Sequence, residues 1–206
     1  PAIDVDAFQN TTVQKQTIIL HVGRFFRQLH HKRQDVLVEI FRQLVTKHPS
    51  VTGKWRLVLV GTVEDAEYAA EVAQAAKGLP IAIKHQVSRA ELIELYQQAS
   101  IYWHATGYGV DASQHPEKME HFGISTVEAM AAGAVPVVYA QGGQPEVLGD
   151  TLQQWGWQNQ EEAIDKTWQL ISHPAEMKAA QQLAQERAQH FDGQRFSEVL
   201  EEMIHA

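Results

Sequence analysis

Short apolar runs alternate with helically patterned segments along this chain, and that alternation limits the fold more than any other feature. TIILHVGR (17 to 24) is rich in β-branched and apolar residues and ends on a glycine. DVLVEIFRQLVTKH (35 to 48) places Val36, Leu37, Ile40, Phe41, Leu44 and Val45 on one helical stripe. WRLVLVGT (55 to 62) is a second strand, AEYAAEVAQAAKG (66 to 78) a second helix closed by Gly78, and IAIKHQV (81 to 87) a third strand. SRAELIELYQQAS (88 to 100) opens with Ser88 and carries Glu91 three residues on, the pattern of a capping box. IYWHAT (101 to 106), ISTVEAMAAG (124 to 133) and AVPVVYA (134 to 140) continue as strand, helix, strand. QPEVLG (144 to 149) reads as a short helical turn, and the chain from Gln160 is mostly helical, ending in a helix over 191 to 205.

Near-continuous apolar strands between helices imply a parallel sheet covered on both faces. Right-handed crossovers then predict a doubly wound, Rossmann-like α/β domain. With 206 residues, 44% hydrophobic, the chain can bury one core. It reads as a single domain over 1 to 206. Residues 1 to 15 are an extended, polar lead-in from an absent N-terminal domain, and 160 to 206 are helices packed on the domain.

The remaining totals mostly exclude. A formal net charge of -8, with no basic stripe, argues against a protein that holds nucleic acid by its phosphates. There is no cysteine, hence no disulfide and no thiolate metal site. No apolar run reaches the roughly 18 residues of a membrane span. The 11 histidines are scattered and show no HExxH spacing. A cytoplasmic location is the default, with membrane contact left open.

Ligands of such sheets bind beyond the carboxyl ends of the strands, which selects the loops 23 to 34, 61 to 65, 85 to 89 and 104 to 124. The last is the longest and carries the densest chemistry. Glu120 and Glu128 lie eight apart, around Phe122-Gly123 and the start of a helix. The first N–H groups of that helix are unpaired and form an anion site, and Gly123 leaves room for it. Carboxylates accept hydrogen bonds from hydroxyls, so two of them flanking an anion site suit a ligand with hydroxyls at both ends and a diphosphate between. On spacing alone, a solvated Glu120 and an exposed Glu128 fit equally well.

The second feature is GRFFRQLHHKRQD (23 to 35). Arg24 follows the first strand and Lys32 precedes the next helix, so two cations stand where a diphosphate would be neutralised. A plain solvated basic loop is the commoner meaning of such a run. Against it, this cluster of an acidic protein falls at a carboxyl end of the sheet. Gly142-Gly143 reads as a turn that also suits close backbone approach to a ligand. His104 and His121 are candidates for acid–base chemistry, although a lone histidine more often packs or hydrogen-bonds. Trp155 and Trp157 are assigned to the core.

Taken in order, VGR (22 to 24), Lys32, LVLVG (57 to 61), VSRAELIELY (87 to 96), EHFGISTVEAMAAGAVPVV (120 to 138) and GGQPE (142 to 146) resemble the C-terminal, donor-binding domain of retaining glycosyltransferases of the GT-B fold, in the large family 4, or group 1. The glutamate–seven–glutamate motif embedded in FG and EAMAAG is the specific part. The loop WHATGYGVD with PEKMEHFGIST is more similar still to mannosyltransferases that extend lipid-linked oligosaccharide. The resemblance implies that Glu120 bonds hydroxyls of a donor sugar and Glu128 the ribose. It implies that Arg24 and Lys32, next to Gly23, bind the diphosphate and stabilise it as it leaves. Backbone groups of Phe122, Gly123 and Ile124 would touch phosphate or sugar, while Gln86 and Val87 cover the base over Leu92. It further implies a nucleotide diphosphate sugar as substrate, a hexose such as mannose or glucose, no metal or other cofactor, and an acceptor held by the N-terminal domain. The family usually has glycine directly after the lysine, whereas Arg33 follows Lys32 here.

Three other readings stay open. A dinucleotide or sugar-phosphate binding module would favour GxGxxG after the first strand, where GRFFRQ stands. A sugar epimerase relative shares the fold and a diphosphate site. A plain interaction domain leaves Arg24, Lys32, Glu120 and Glu128 unexplained.

Overall fold

The computed structural model describes residues 3–9, 12–28 and 30–193. Each predicted apolar run forms a strand and each striped segment a helix. Strands β1 (Gln16–Val22), β2 (Arg56–Val60), β3 (Ile81–Lys84), β4 (Ala99–His104), β5 (Val135–Tyr139) and β6 (Gly156–Trp157) build one sheet in the order β3-β2-β1-β4-β5-β6, with every pair parallel. That order is doubly wound. The chain reverses direction across the sheet between β1 and β4, the switch point at which such sheets open a crevice.

The helices are α1 (Gln34–Lys47), α2 (Ala66–Ala76), α3 (Arg89–Gln98), α4 (Ile124–Ala131), α5 (Gln144–Leu152), α6 (Gln160–Ser172) and α7 (Pro174–Ala188). α1 packs on α2 and α6, while α4 packs on α3 and α7, and α7 on α5. Neighbouring residues of β4 show the two layers. The Trp103 ring packs edge-on to Phe41 of α1 and its indole N–H donates to Thr167 of α6, whereas the Tyr102 hydroxyl donates to Ser125 of α4. The alternation of side chains along a strand puts these two residues on opposite faces.

Local chemistry sets several ends. The Ser88 hydroxyl accepts from the Glu91 N–H and the Glu91 carboxylate accepts from the Ser88 N–H, so the predicted capping box forms at α3. At the opposite end of the sheet from the carboxyl-end loops, the Lys15 ammonium donates to the carbonyls of Ala99 and Ala132, which close α3 and α4.

Three expectations need correction. Five strands were expected, and Gly156–Trp157 adds a sixth at the edge of the sheet. Trp155 and Trp157 are buried as expected. The lead-in is not simply extended and polar: Ile3, Val5 and Phe8 are buried, Asp6–Phe8 form a 3-10 turn, and Ile3 bridges Asp192. The turn at 144 to 149 runs on to Leu152, across a kink at Gly149. Most of the expected final helix, from residue 194 on, lies outside the described residues.

Candidate active site at the sheet switch point

The loops after β1 and β4 face each other across the switch point, and their key side chains meet. The Lys32 ammonium lies 2.6 Å from Oε2 of Glu120, with only 18% and 15% of the two side chains exposed. Residues 88 apart in sequence thus form a mostly buried ion pair. At Gly23 a Cβ would stand 2.7 Å from Cγ of Lys32, so the bare glycine leaves room for the lysine stem.

His104, the last residue of β4, is fully buried beneath this pair. Its Nε2 lies 3.1 Å from the same Glu120 Oε2 and 2.9 Å from the Thr106 hydroxyl oxygen. A carboxylate can only accept, so Nε2 carries the hydrogen. Burial pushes the His104 imidazole below its ordinary range, against the pull of Glu120, and keeps it neutral. Burial alone would push the Glu120 carboxyl up. The hydrogen bond from His104 and the charge and hydrogen bond of Lys32 outweigh it and hold the group well below the usual carboxylate range. Glu120 is therefore a fixed anion.

Glu128 sits on α4 with 13% of its side chain exposed, 3.2 Å from Nη1 of Arg89. Arg89 is more than half exposed and lies over the Phe8 ring. The solvated reading of the two glutamates is thus set aside: both are largely buried and partnered. The Tyr102 hydroxyl, which donates to Ser125 of α4, feels both charges. Burial pushes it up, and the charges of Glu120 and Glu128 push in the same direction.

α4 begins at Gly123, whose φ of 101° suits glycine. The N–H groups of Gly123, Ile124 and Ser125 find no acceptor among the described residues, which leaves the helix start open to an anion. Ile124 is 51% exposed at this mouth, and the Phe122 ring turns inward onto Phe191. The bare faces of Gly142 and Gly143 meet the protein's own backbone. A Cβ at either position would come within 2.3 Å of a backbone oxygen of Glu120 or His121, and the Gly143 N–H donates to the Glu120 carbonyl at 2.7 Å. The turn clamps the backbone that carries Glu120.

The other expected residues lie around this centre without joining it. Arg24 is half exposed and donates to both oxygens of Glu64 at 3.1 Å. Gln86 is exposed in the loop after β3, with Val87 and Leu92 half-buried beside it. The His121 ring packs edge-on to His30 and takes no part in the Glu120 network. Among the described residues, no three His, Asp or Glu side chains gather closely enough to hold a metal ion.

Arg33 explains its own departure from the family pattern. It has φ 54° and ψ 44°, the left-handed conformation that glycine adopts freely. Its guanidinium bonds Asp35 and the Tyr108 carbonyl, tying the two loops together.

Sequence reasoning missed Thr106, Gln144 and His21. Gln144 is buried against Gly123 with both amide atoms unpartnered. His21 lies in β1, where its Nδ1–H donates to the Trp103 carbonyl at 2.9 Å, and burial pushes its imidazole down to about 3. A signal existed: His21 and His104 interrupt otherwise apolar strands near their carboxyl ends.

The chain matches the family model of glycosyl transferases group 1 over residues 3–189, and it belongs to that family. Over 146 residues it is 27% identical to a GDP-Man:Man(3)GlcNAc(2)-PP-Dol alpha-1,2-mannosyltransferase of Xenopus tropicalis, covering 68% of this chain and 27% of that protein. Its fold resembles Anabaena HepE, solved with UDP and glucose, at TM-score 0.72 and 18% identity over 98% of this chain and 55% of that one. It also resembles the pneumococcal O-GlcNAc transferase GtfA, solved with UDP and GlcNAc, at TM-score 0.66 and 16% identity over 95% and 37% of the two chains. The chain therefore spans about half of HepE and about a quarter of the Xenopus protein. Among the described residues no helix is long and apolar enough to cross a membrane.

Proposed function

We propose that this chain is the donor-binding domain of a retaining glycosyltransferase that moves a hexose from a nucleotide diphosphate sugar to an acceptor. The observation that carries this is the Lys32–Glu120 pair at the switch point, beside the open start of α4. A cation and unpaired N–H groups attract a diphosphate, and an adjacent anionic carboxylate accepts hydroxyls.

Each residue then has a role. Lys32 and Arg24 bind the diphosphate, Arg24 by exchanging its exposed partner Glu64 for phosphate. Backbone groups of Phe122, Gly123 and Ile124 touch phosphate or sugar. Glu120 bonds sugar hydroxyls, Glu128 the ribose, and Gln86, Val87 and Leu92 form the base end. As the sugar carbon becomes cation-like, negative charge grows on the leaving phosphate. Cations and a helix start already aimed there stabilise that state more than the ground state. No side chain of this domain acts as nucleophile, and no metal is called for. The acceptor is held by a second domain, so the isolated chain binds donor weakly and transfers nothing by itself.

Calorimetric titration with UDP, GDP, UDP-glucose and GDP-mannose tests this. The expected result is saturable binding of one nucleotide class, weakened by both Glu128→Ala and Arg24→Ala. Binding that neither change touches, or no binding, overturns the donor site. Acceptor-dependent transfer by the isolated chain overturns the two-domain part.

A further inference from the structure

Two fully buried histidines stand at the ends of the two central strands, and they are used differently. His21 gives its Nδ1–H to a backbone carbonyl, the ordinary occupation of a core histidine. His104 gives its hydrogen to Glu120, shares it with Thr106, and leaves Nδ1 buried without a partner among the described residues. Its hydrogen bonding is committed to the site carboxylate.

The carboxylate is likewise used unevenly. Lys32 and His104 both bond Oε2 of Glu120. Oε1 has no partner among the described residues and is not a buried orphan, so it stays open to the crevice. Lys32 has a competing use, because a bound diphosphate draws its ammonium. His104 has none: it is fully buried, and a ligand cannot reach it.

We infer that His104, oriented by Thr106, is a positioning residue that pins Oε2 of Glu120, so that Oε1 faces a donor-sugar hydroxyl even while Lys32 turns to phosphate. The inference rests on the donor-site reading above. It assigns the sugar, rather than the nucleotide, as the part of the donor that depends on His104.

Two measurements on this chain test it. The ring nitrogen-15 spectrum of the ligand-free protein should show His104 as the neutral Nε2–H tautomer. An Nδ1–H tautomer overturns the proposal without reference to any ligand. Calorimetry then compares UDP-glucose with UDP and GDP-mannose with GDP. His104→Ala should lower the preference for the nucleotide sugar over its bare nucleotide by roughly tenfold, the worth of one hydrogen bond to a charged group. Affinity for the bare nucleotide should stay within about twofold, because the site's phosphate and ribose contacts are kept. His104→Gln sets an amide N–H in the same place and should restore most of the preference, which a role in packing alone does not predict. An undiminished preference in His104→Ala, or equal losses for sugar and bare nucleotide, overturns the inference alone. A wild-type chain with the expected tautomer but no preference for any sugar overturns the donor-site reading and this inference with it.

Discussion

Glu120 and Glu128 are the same residue type, eight apart and almost equally buried, at 15% and 13% side-chain exposure. Their surroundings differ. Glu120 rests on a mostly buried lysine and a fully buried histidine, and its backbone is clamped by the Gly142-Gly143 turn. Glu128 is met by Arg89, a more than half-exposed arm reaching in from the start of α3. Burial of a carboxylate therefore does not measure how firmly it is held. One end of the site is held by buried partners, while the other is held by a half-exposed one.

The sharpest way to break this contrast is Lys32→Met. It strands a mostly buried carboxylate, and removing one partner of such a pair costs about 3 kcal/mol of stability. Arg89→Ala, which removes a half-exposed partner, should cost under about 1 kcal/mol. Chemical denaturation of the two variants decides, and equal losses would erase the distinction. Adding Glu120→Gln to Lys32→Met should recover part of the loss, because the amide carries no stranded charge.

A second difference concerns acid. His21 is neutral in the fold, with its imidazole lowered to about 3, while in the unfolded chain it titrates near 6.5. As pH falls below 6.5 the unfolded chain takes up a proton that the folded chain refuses, so stability drops. The loss at pH 5 is about 2 kcal/mol from this residue. Burial pushes His104 in the same direction, opposed by the Glu120 charge. At the Glu128 end the partner is an arginine, not a histidine. Denaturation curves at pH 7 and pH 5 should thus converge for His21→Leu relative to the parent protein. An unchanged pH dependence in that variant would place the acid sensitivity elsewhere.

Much of this was readable from residues alone, and the limits have physical causes. The alternation of strands and helices sits in local pattern, so TIILHV, RLVLV and VPVVY announced the parallel sheet. A strand as short as Gly156–Trp157 carries no period to read. Ile3, Val5 and Phe8 lie among polar residues, and only tertiary packing reveals them as core. At the site, Lys32, Glu120 and Glu128 were marked by their loops and spacing. That Lys32 and Glu120 touch is a long-range fact no local pattern contains. Arg24 was legible as a cation at the mouth, but its pairing with Glu64 was not. His104 was only half visible: a histidine ending an apolar strand signals a constraint without naming its partner.

Arg33 gives the finest test of the buried end of the site. Its left-handed backbone costs a residue with a Cβ about 1 kcal/mol relative to glycine. The guanidinium offsets that cost through Asp35 and the Tyr108 carbonyl. Replacement by alanine and by glycine removes the same contacts and differs only in the backbone. Glycine is already preferred to alanine at an ordinary helix start, whereas in helix interiors alanine wins. Here Arg33→Gly should be the more stable of the two by about 1 kcal/mol, read as a shift in denaturation midpoint at unchanged slope. Alanine at least as stable as glycine would mean that the left-handed turn is absent. The path of the loop would then have to change. Because Lys32 is the residue directly before the turn, the preformed Lys32–Glu120 pair would lose its support, and the two ends of the site would become alike.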